Sequence, residues 1–487
     1  MSKAAPPFKR FSTRRPAVLL LLLVLALALG ACQGRKPVER LGPPWNAEKI
    51  RHNVRHMTQE NSYAAPELPP EDKALSFEEC LFTALQFAPD ITESVIELEL
   101  AELKSDDAFW KRFPNFNGRF RVTNNLTKHY QEYSDTVYRI GVSIDGFEPV
   151  VSFFESRAAA LMEDIAYYTH MLAVEKRARQ IGEVLMELRL CEDKHALQAA
   201  QVAAAQQSVD YYQARQSDAD HLELARAQQK EASARLIMEK NQIAMDKLRL
   251  NLKLMLGLDL DRAVKVDAAS VDQMLEKDGA ANVFADFNWE KAWAATPEAR
   301  MLGISKKLKD YQVQVAWARY LPSVGFDMYT TNPKSDYAAP SSDDEIFFAM
   351  NFTMPLIDWG ARGRNVDRAV LQRVQQSQRA KLGMQQFTMD WKEAWQDVKM
   401  SQADLKMAEA QLNINKLTEQ KIAIEQQSGQ VEFSALIEAR IAVIAAEISM
   451  LDARHRARTL TFDNWVTAGY FRQRFFEPYR NEDRKDE

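Results

Sequence analysis

The chain has 487 residues, of which 46% are hydrophobic and 27% are charged, and it contains 3 cysteines. It is therefore long enough to bury a sizeable core, and its composition excludes a collagen, a disulfide-rich miniprotein and a wholly disordered chain. The formal net charge of −5 carries no basic excess, and cationic and anionic residues are interspersed. Nucleic acid is therefore not an expected partner.

The N-terminus has the features of an export signal. Five basic residues, the last of them Arg15, precede an apolar run from Ala17 to Leu29. The run has about 13 residues and a spanning helix needs roughly 20, so a cleaved signal peptide is favoured over a plain N-terminal anchor. The sequence Leu29-Gly30-Ala31-Cys32 resembles a bacterial lipoprotein cleavage site. This resemblance predicts a signal peptide over 1–31 and lipid attachment at Cys32.

The residue after Cys32 favours the outer membrane as the destination. In the lipoproteins that this site resembles, an aspartate at that position often marks retention in the inner membrane, and here the residue is Gln33. Residues 32–74 are rich in proline, glycine and charge, so we expect an extended N-terminal arm. Cys80 and Cys191 could pair in an oxidising compartment, but the helix lengths given below place them at different heights, and we expect free thiols.

The rest of the chain contains one unit twice, which is its most informative feature. The first copy has Pro89 and Pro114 and the second has Pro297 and Pro322; both pairs are 25 residues apart and the copies are offset by 208. The predicted organisation is a first repeat over 75–257, an equatorial connector over 258–286, a second repeat over 287–471 and a charged tail over 472–487.

After the second proline of each copy, apolar and polar residues alternate, which predicts β-strands. Each copy should contribute two strands, and polar stretches at 128–136 and 332–345 should form the hairpin loops. The four predicted strands lie at 116–122, 138–144, 324–328 and 346–352.

Two proline-free segments, Val150–Thr296 and Leu356–Glu477, predict long helices because they are dense in Ala, Leu, Gln, Glu, Lys and Arg. In the second, apolar residues from Ile437 to Leu451 are spaced by 4, 3, 4 and 3, as in a coiled coil. Breaks at 216–220 and 428–430 are offset by 212, so copy two has four extra residues between its strands and its break. The first break separates a helix of roughly 66 residues from a return helix of about 37. A helix of about 30 residues precedes the strands in each copy and could stack on the short return helix.

This succession of elements behind a lipoprotein signal resembles the TolC-like outer membrane efflux protein family over about Leu75 to Phe471. The most specific matches are Ala318–Val324, which leads into a strand, and Pro355–Arg362, which links the last strand to a long helix. Copy one has Phe147-Glu148-Pro149 at the second place and lacks the glycine. The resemblance implies a mainly α fold with a β-barrel part. Four strands per chain would contribute to a twelve-stranded membrane barrel, and long antiparallel coiled-coil helices would form a trimeric tunnel.

The resemblance also implies a function and partners. The chain would be a homotrimeric, lipid-anchored outer membrane protein with a large periplasmic portion, bound to outer membrane lipid. It would receive small toxic compounds from an inner-membrane pump through a periplasmic adaptor, and export them as a passive duct in a tripartite efflux system. Two alternatives stay open: the same duct in type I protein secretion, and a non-conducting, lipid-anchored periplasmic coiled-coil scaffold. No catalytic or nucleotide-binding motif is found, so neither enzyme activity nor a cofactor is expected.

The resemblance further implies that the helical tips contact the adaptor and that acidic residues beyond them narrow the entrance. Glu438, nine residues after Gly429, and Glu223, six after Ser217, fall at family acidic positions, although the family has aspartate at the first. A ring of three Glu438 carboxylates would attract cations. A solvated helix face explains both glutamates equally well. The predicted adaptor-contacting tip residues are Ser217, Asp218, Ser428, Gly429 and Gln430.

Two further patterns have less specific interpretations. Asp390, Asp397 and Asp404 recur every seven residues, which indicates either an acidic stripe on the tunnel wall or, more simply, a polar coiled-coil face. His52 and His56 have a spacing that could place two imidazoles on one side of a helix. No further ligand except Met57 lies near them in sequence, so a metal site is not expected.

Overall fold

The computed structural model describes residues 73–124, 136–215, 221–277, 289–333, 345–354 and 357–475. The predicted signal peptide, the predicted lipid attachment at Cys32, His52 and His56, and the tip residues Ser217 and Asp218 lie outside these ranges. The chain divides into two compact units. The first includes the sheet and the adjoining helix ends, within 101–163 and 305–376. The second is helical, within 41–100, 164–304 and 377–487.

The described elements follow the same order twice, with one short helix between the copies. Each copy has two helices, two strands, a long helix and a return helix. The first copy comprises α1 (Phe77–Phe87), α2 (Pro89–Trp110), β1 (Asn117–Asn124), β2 (Thr136–Phe147), α3 (Pro149–Arg215) and α4 (His221–Leu256), and α5 (Ser270–Lys277) follows it. The second comprises α6 (Trp289–Ala295), α7 (Pro297–Ala318), β3 (Ser323–Pro333), β4 (Glu345–Thr353), α8 (Ala361–Gln427), α9 (Phe433–Thr467) and the terminal α10 (Tyr470–Phe475).

The helix predicted before the strands is two helices in each copy, which corrects the expectation of one. Pro89 and Pro297 each begin the second helix of their pair. Proline lacks a backbone N–H, so it is tolerated at the first helical position but ends the helix before it. It also disfavours helical geometry in the preceding residue, and Ala88 is extended, with ψ of 125°.

The long helices confirm the length expected from the breaks. α3 and α8 have 67 residues each, and their return helices α4 and α9 have 36 and 35. Equivalent ends of α3 and α8 are offset by 212, as the breaks are. The four extra residues of the second copy therefore lie before α8 begins, and both long helices keep the same length. No helix in the described part of the chain has both the length and the apolar character that crossing a membrane requires.

The four strands form one antiparallel sheet in the order β1-β2-β3-β4. Strands β2 and β3 come from different copies and pair over nine register positions, with an irregularity between Ile144 and Phe147. The four predicted strands are thereby confirmed. Each strand is a little longer than the segment of alternating apolar and polar residues that predicted it. The two copies meet at the centre of the sheet.

The core of the helical unit joins both copies. Phe77 of α1 packs edge-to-face on Phe462 of α9 at 5.9 Å, and both side chains are essentially inaccessible. The connector also contributes, because Leu75 bridges to Val266 and Val271 of α5 is buried. Phe475 of α10 is buried too, so the packed part of the chain extends beyond 472, where the charged tail was predicted to begin.

Gly257, directly after α4, allows a close approach in this core. Its φ is +69°, and a Cβ there would lie 2.2 Å from the backbone oxygen of Phe87, at the end of α1. Only glycine fits this position without a backbone shift. The end of the return helix thus abuts the junction of α1 and α2, where the lengths predicted stacking. Gly469 is the equivalent residue after α9 and also has a positive φ, of +91°.

Candidate functional site

One face of the sheet is apolar and exposed. Successive strand residues point to opposite faces, and residues paired in register share a face. Phe120 pairs with Ile140, and Met328 pairs with Phe348. Phe348 also packs edge-to-face on Phe326 at 4.7 Å. Four residues of this face are more than half exposed: Phe120 (66%), Ile140 (59%), Phe348 (64%) and Phe352 (65%).

The opposite face of the sheet is polar and internally paired. Arg119 contacts the carboxylates of Asp145 at 2.5 Å and Asp327 at 3.7 Å. Asn351 donates a hydrogen bond to Asp327 at 2.9 Å. The sheet therefore presents hydrocarbon on one side and a charged network on the other, which suits a boundary between lipid and water.

The two sequence motifs that carry the family resemblance meet beside the sheet. Asp358 accepts hydrogen bonds from the backbone N–H groups of Gly360 at 3.0 Å and Arg362 at 3.1 Å, and so caps the start of α8. The guanidinium of Arg362 lies 5.5 Å from the ring centroid of Tyr320, in the other motif. Gly360 has a φ of +74°, which explains its place in the turn.

The first copy, which lacks the glycine of the second motif, has a different turn between its second strand and its long helix. The positive φ falls on Gly146, inside β2, at +57°. Pro149 then begins α3, and only Glu148 separates it from the last residue of the strand, Phe147. The glycine with a positive φ therefore lies inside the strand in the first copy and after the strand, at Gly360, in the second.

The second helical tip is a tight turn at Ser428-Gly429-Gln430, where the sequence predicts a break. Gly429 has a φ of +75° and no atom near its ideal Cβ position. Its N–H donates to the carbonyl of Gln426 at 3.0 Å, and that of Gln430 donates to Glu425 at 2.9 Å. These bonds satisfy the last carbonyls of α8.

An ion pair joins the two hairpins at this end. Arg215, the last residue of α3, donates to the carboxylate of Glu432 at 3.1 Å. The guanidinium also lies over the ring of Tyr211, which contacts Phe433 at 5.7 Å between ring centroids. The hydrogen bond and the charge of Arg215 lower the pKa of Glu432. This carboxylate is consequently ionised at neutral pH.

Both candidate gate glutamates lie near the tips, and each has a cationic partner. Glu438 of α9 accepts a hydrogen bond from Lys230 of α4 at 2.7 Å. This contact links the second repeat to the first within one chain. Glu223 contacts Arg226 of the same helix at 2.5 Å. A ring built from Glu438 would therefore include Lys230 and carry less net charge than the carboxylates alone.

Sequence reasoning missed Lys230 and Arg215. Their partners are 208 and 217 residues away along the chain, and no local spacing links them.

Within the ranges that the structure describes, no group of three or more His, Cys, Asp or Glu residues is placed to hold a metal ion. Asp390 and Asp397 are exposed on α8, while Trp391 and Val398 are buried.

Comparisons with known proteins agree with this architecture. Residues 292–460 match the model of the outer membrane efflux protein family. No curated protein sequence matches the chain.

Solved channel structures share the fold over most of their length. The open state of the Neisseria gonorrhoeae MtrE outer membrane channel aligns with a TM-score of 0.68 at 14% identity, covering 84% of this chain and 97% of that one. The Campylobacter jejuni CmeC outer membrane channel aligns with a TM-score of 0.66 at 15% identity, covering 88% and 96%. CusC aligns with a TM-score of 0.70 at 14% identity, covering 84% and 98%. At these identities the likeness to solved structures establishes the fold, and over residues 292–460 the chain also matches the outer membrane efflux protein family.

Proposed function

We propose that this chain is one protomer of a trimeric outer membrane duct in a tripartite efflux system. The two-faced sheet carries this proposal. A periplasmic scaffold has no use for a sheet with exposed Phe120, Ile140, Phe348 and Phe352 on one face, whereas a membrane-spanning sheet requires it. The charged network of Arg119 on the other face then lines water.

The open edges of the sheet support the trimer. Within the described residues, β1 and β4 each pair with one strand and leave their outer edges uncovered. Backbone groups at such an edge are not tolerated in lipid, so the sheet must close. Strand β4 runs antiparallel to β1, and β4 of one copy can therefore continue into β1 of the next. Three copies of four strands would close a twelve-stranded barrel.

The helices supply the route across the periplasm in this proposal. The tips, Ser428, Gly429 and Gln430 with Ser217 and Asp218 of the other hairpin, would receive the adaptor and, through it, the inner-membrane pump. Glu438 and Glu223 would line the entrance, each with its cationic partner. Lipid at Cys32 would anchor the chain to the outer membrane. The duct is passive, and the pump supplies the energy.

The test of the duct is conductance. The mature protein, reconstituted into planar lipid bilayers, should form discrete conducting channels, because closed barrels with polar linings pass water and ions. A folded, membrane-inserted protein that never conducts would contradict the duct and favour the scaffold.

The cargo needs a separate experiment in the native cell. Deletion of the gene should raise susceptibility to small toxic compounds, and the intact gene supplied in trans should restore resistance. Unchanged susceptibility together with loss of a secreted polypeptide would contradict small-compound export and support type I secretion.

A further inference from the structure

A small cavity lies between three helices of the helical unit. Helix α3 of the first copy, the connector helix α5 and helix α9 of the second copy form its wall, and its volume is about 20 Å³. Its polar lining consists of Arg189 and Asp193 of α3, Asp272 of α5, and Arg454, His455 and Arg458 of α9. The rest of the lining is apolar. We call it the α3–α5–α9 cavity.

Helical spacing explains why these side chains meet. Arg454 and Arg458 are four residues apart on α9, and Arg189 and Asp193 are four apart on α3. Residues with this spacing lie one turn apart on the same face of a helix. Each helix therefore turns one short polar patch toward the cavity.

The charges of the lining do not balance. Arg458 contacts the carboxylate of Asp272 at 2.9 Å, and the Nε of Arg189 donates to Asp193 at 3.3 Å. Within the described part of the chain, Arg454 has no carboxylate partner, and its guanidinium contacts the Sδ of Met450 at 4.0 Å. Three guanidinium groups thus face two carboxylates, and one positive charge on the wall is left over.

The neighbouring titratable groups do not remove this excess. Burial lowers the pKa of His455 more than Glu187 and Asp452 raise it, so the imidazole is neutral at neutral pH. Neither of these acids lines the cavity, and Asp452 already contacts Lys194 at 2.5 Å. The lining therefore keeps its uncompensated positive charge.

We infer that the α3–α5–α9 cavity binds one monatomic anion of the size of chloride. A cavity of roughly 10–15 Å³ already holds a water molecule, so this one has room for a single small ion and is too small for a tetrahedral phosphate or sulfate. A charged group that is taken out of water is costly unless an opposite charge accompanies it. The anion supplies that charge to Arg454.

The guanidinium groups can hold such an ion together. A guanidinium has five N–H donors and no acceptor, so Arg189 and Arg458 keep donors after bonding to their aspartates. The first turn of α5 also lies at the cavity through Asp272, and the N-terminal end of a helix carries positive partial charge. The ion joins the connector to both copies. All of its ligands belong to the helical unit of one chain, so the site does not depend on the proposed duct.

Thermal unfolding of the detergent-extracted mature protein tests the site. Sodium chloride is compared with sodium gluconate at equal ionic strength, because gluconate is too large to enter the cavity. A ligand that binds only the folded state raises the midpoint in proportion to the logarithm of its concentration. The midpoint should rise by about 1–3 °C for each tenfold increase of chloride above the dissociation constant. Equal midpoints in the two salts at every concentration would overturn the site.

Two variants separate the cavity from a general salt effect. Arg454→Gln removes the uncompensated charge and should abolish the difference between chloride and gluconate. The control, Arg456→Gln, removes the same charge two residues away, where the side chain is exposed and outside the lining. It should keep the full difference. If both variants lost the difference, or both kept it, the ion would not be held by Arg454, and the assignment would be overturned.

Bromide gives a direct view that does not depend on the stability of the variants. Crystals of the mature protein grown in bromide should show an anomalous scattering peak in the α3–α5–α9 cavity, near the guanidinium groups of Arg454 and Arg189. Arg454→Gln crystals should lack the peak. An ordered cavity in the original protein that contains only water would overturn the anion site, whatever the midpoints do.

Discussion

Gly182 on α3 lies directly beneath the ring of Phe462 on α9. A Cβ at this position would stand 2.3 Å from the ring, which is fully buried. Gly182→Ala should therefore cost about 1–3 kcal/mol of folding free energy through overpacking. The higher helix propensity of alanine offsets roughly 1 kcal/mol of this cost. The measurement is the midpoint of thermal unfolding in detergent.

Gly303 on α7 provides the matched control. No atom lies within 4 Å of its ideal Cβ position, so Gly303→Ala adds helix propensity without a clash and should raise the same midpoint. Equal shifts of the unfolding midpoint in the two alanine variants would contradict the contact between the Phe462 ring and Gly182 on α3.

The two cysteines should be free and unreactive in the native protein. Cys80 and Cys191 are separate buried thiols. Burial raises the pKa of Cys80 to about 12 and also raises that of Cys191. Because the unfolded pKa is about 8.5, burial of the neutral thiol contributes stability that is complete below that pH and is lost as pH rises toward 12.

Thiol labelling checks this prediction. A maleimide at about pH 8 should leave both thiols unlabelled in the folded protein and label both after denaturation, because thiolate is the reactive form. A disulfide between Cys80 and Cys191, seen by mass spectrometry, or rapid labelling of folded Cys80, would contradict the packing.

At the entrance, Glu438 and Lys230 should act in opposite directions on ion selectivity. In the proposed duct, Glu438→Gln removes a carboxylate and should reduce the preference for cations, while Lys230→Gln leaves the carboxylate uncompensated and should increase it. Reversal potentials under a salt gradient measure both. Equal values for the two variants and the original protein would remove Glu438 from the conduction path.

At the scale of elements, the sheet offers a test of its two faces. Phe348 lies on the apolar face and its neighbour Ala349 on the polar face, paired with Asp327. Phe348→Lys should cost about 2–4 kcal/mol if it meets the centre of the bilayer and should reduce the folded protein recovered from the outer membrane. Ala349→Lys, beside the Asp327 carboxylate, should be tolerated. Equal recovery of the two variants would contradict the assignment of the lipid-facing side.

The elements also show what sequence periodicity can predict. The alternation from Val324 to Met328 and the length of α8 follow from local regularity, because strands repeat every two residues and helices every 3.6. The break at Pro89 and the short helix α5 are irregular and were missed. Spacing from Gly429 was enough to place Glu438 near the tip, but its contact with Lys230 depends on how separate helices pack.

At the scale of the whole molecule, one repeat could not form this protein alone. The central sheet pairing joins β2 to β3, and the core joins Phe77 to Phe462, so each compact unit takes residues from both copies. Even then, among the described residues, the sheet keeps two open edges, one at β1 and one at β4. The proposed trimer would close both with the same rotation about one axis.

Electron microscopy of the detergent-extracted mature protein tests this account most directly. The account predicts particles with three-fold symmetry and a hollow axis, longer than about 100 Å, the length of a 67-residue helix at 1.5 Å per residue. A solid particle, or one without three-fold symmetry, would contradict the barrel and the tunnel together, and the scaffold would then be the better explanation.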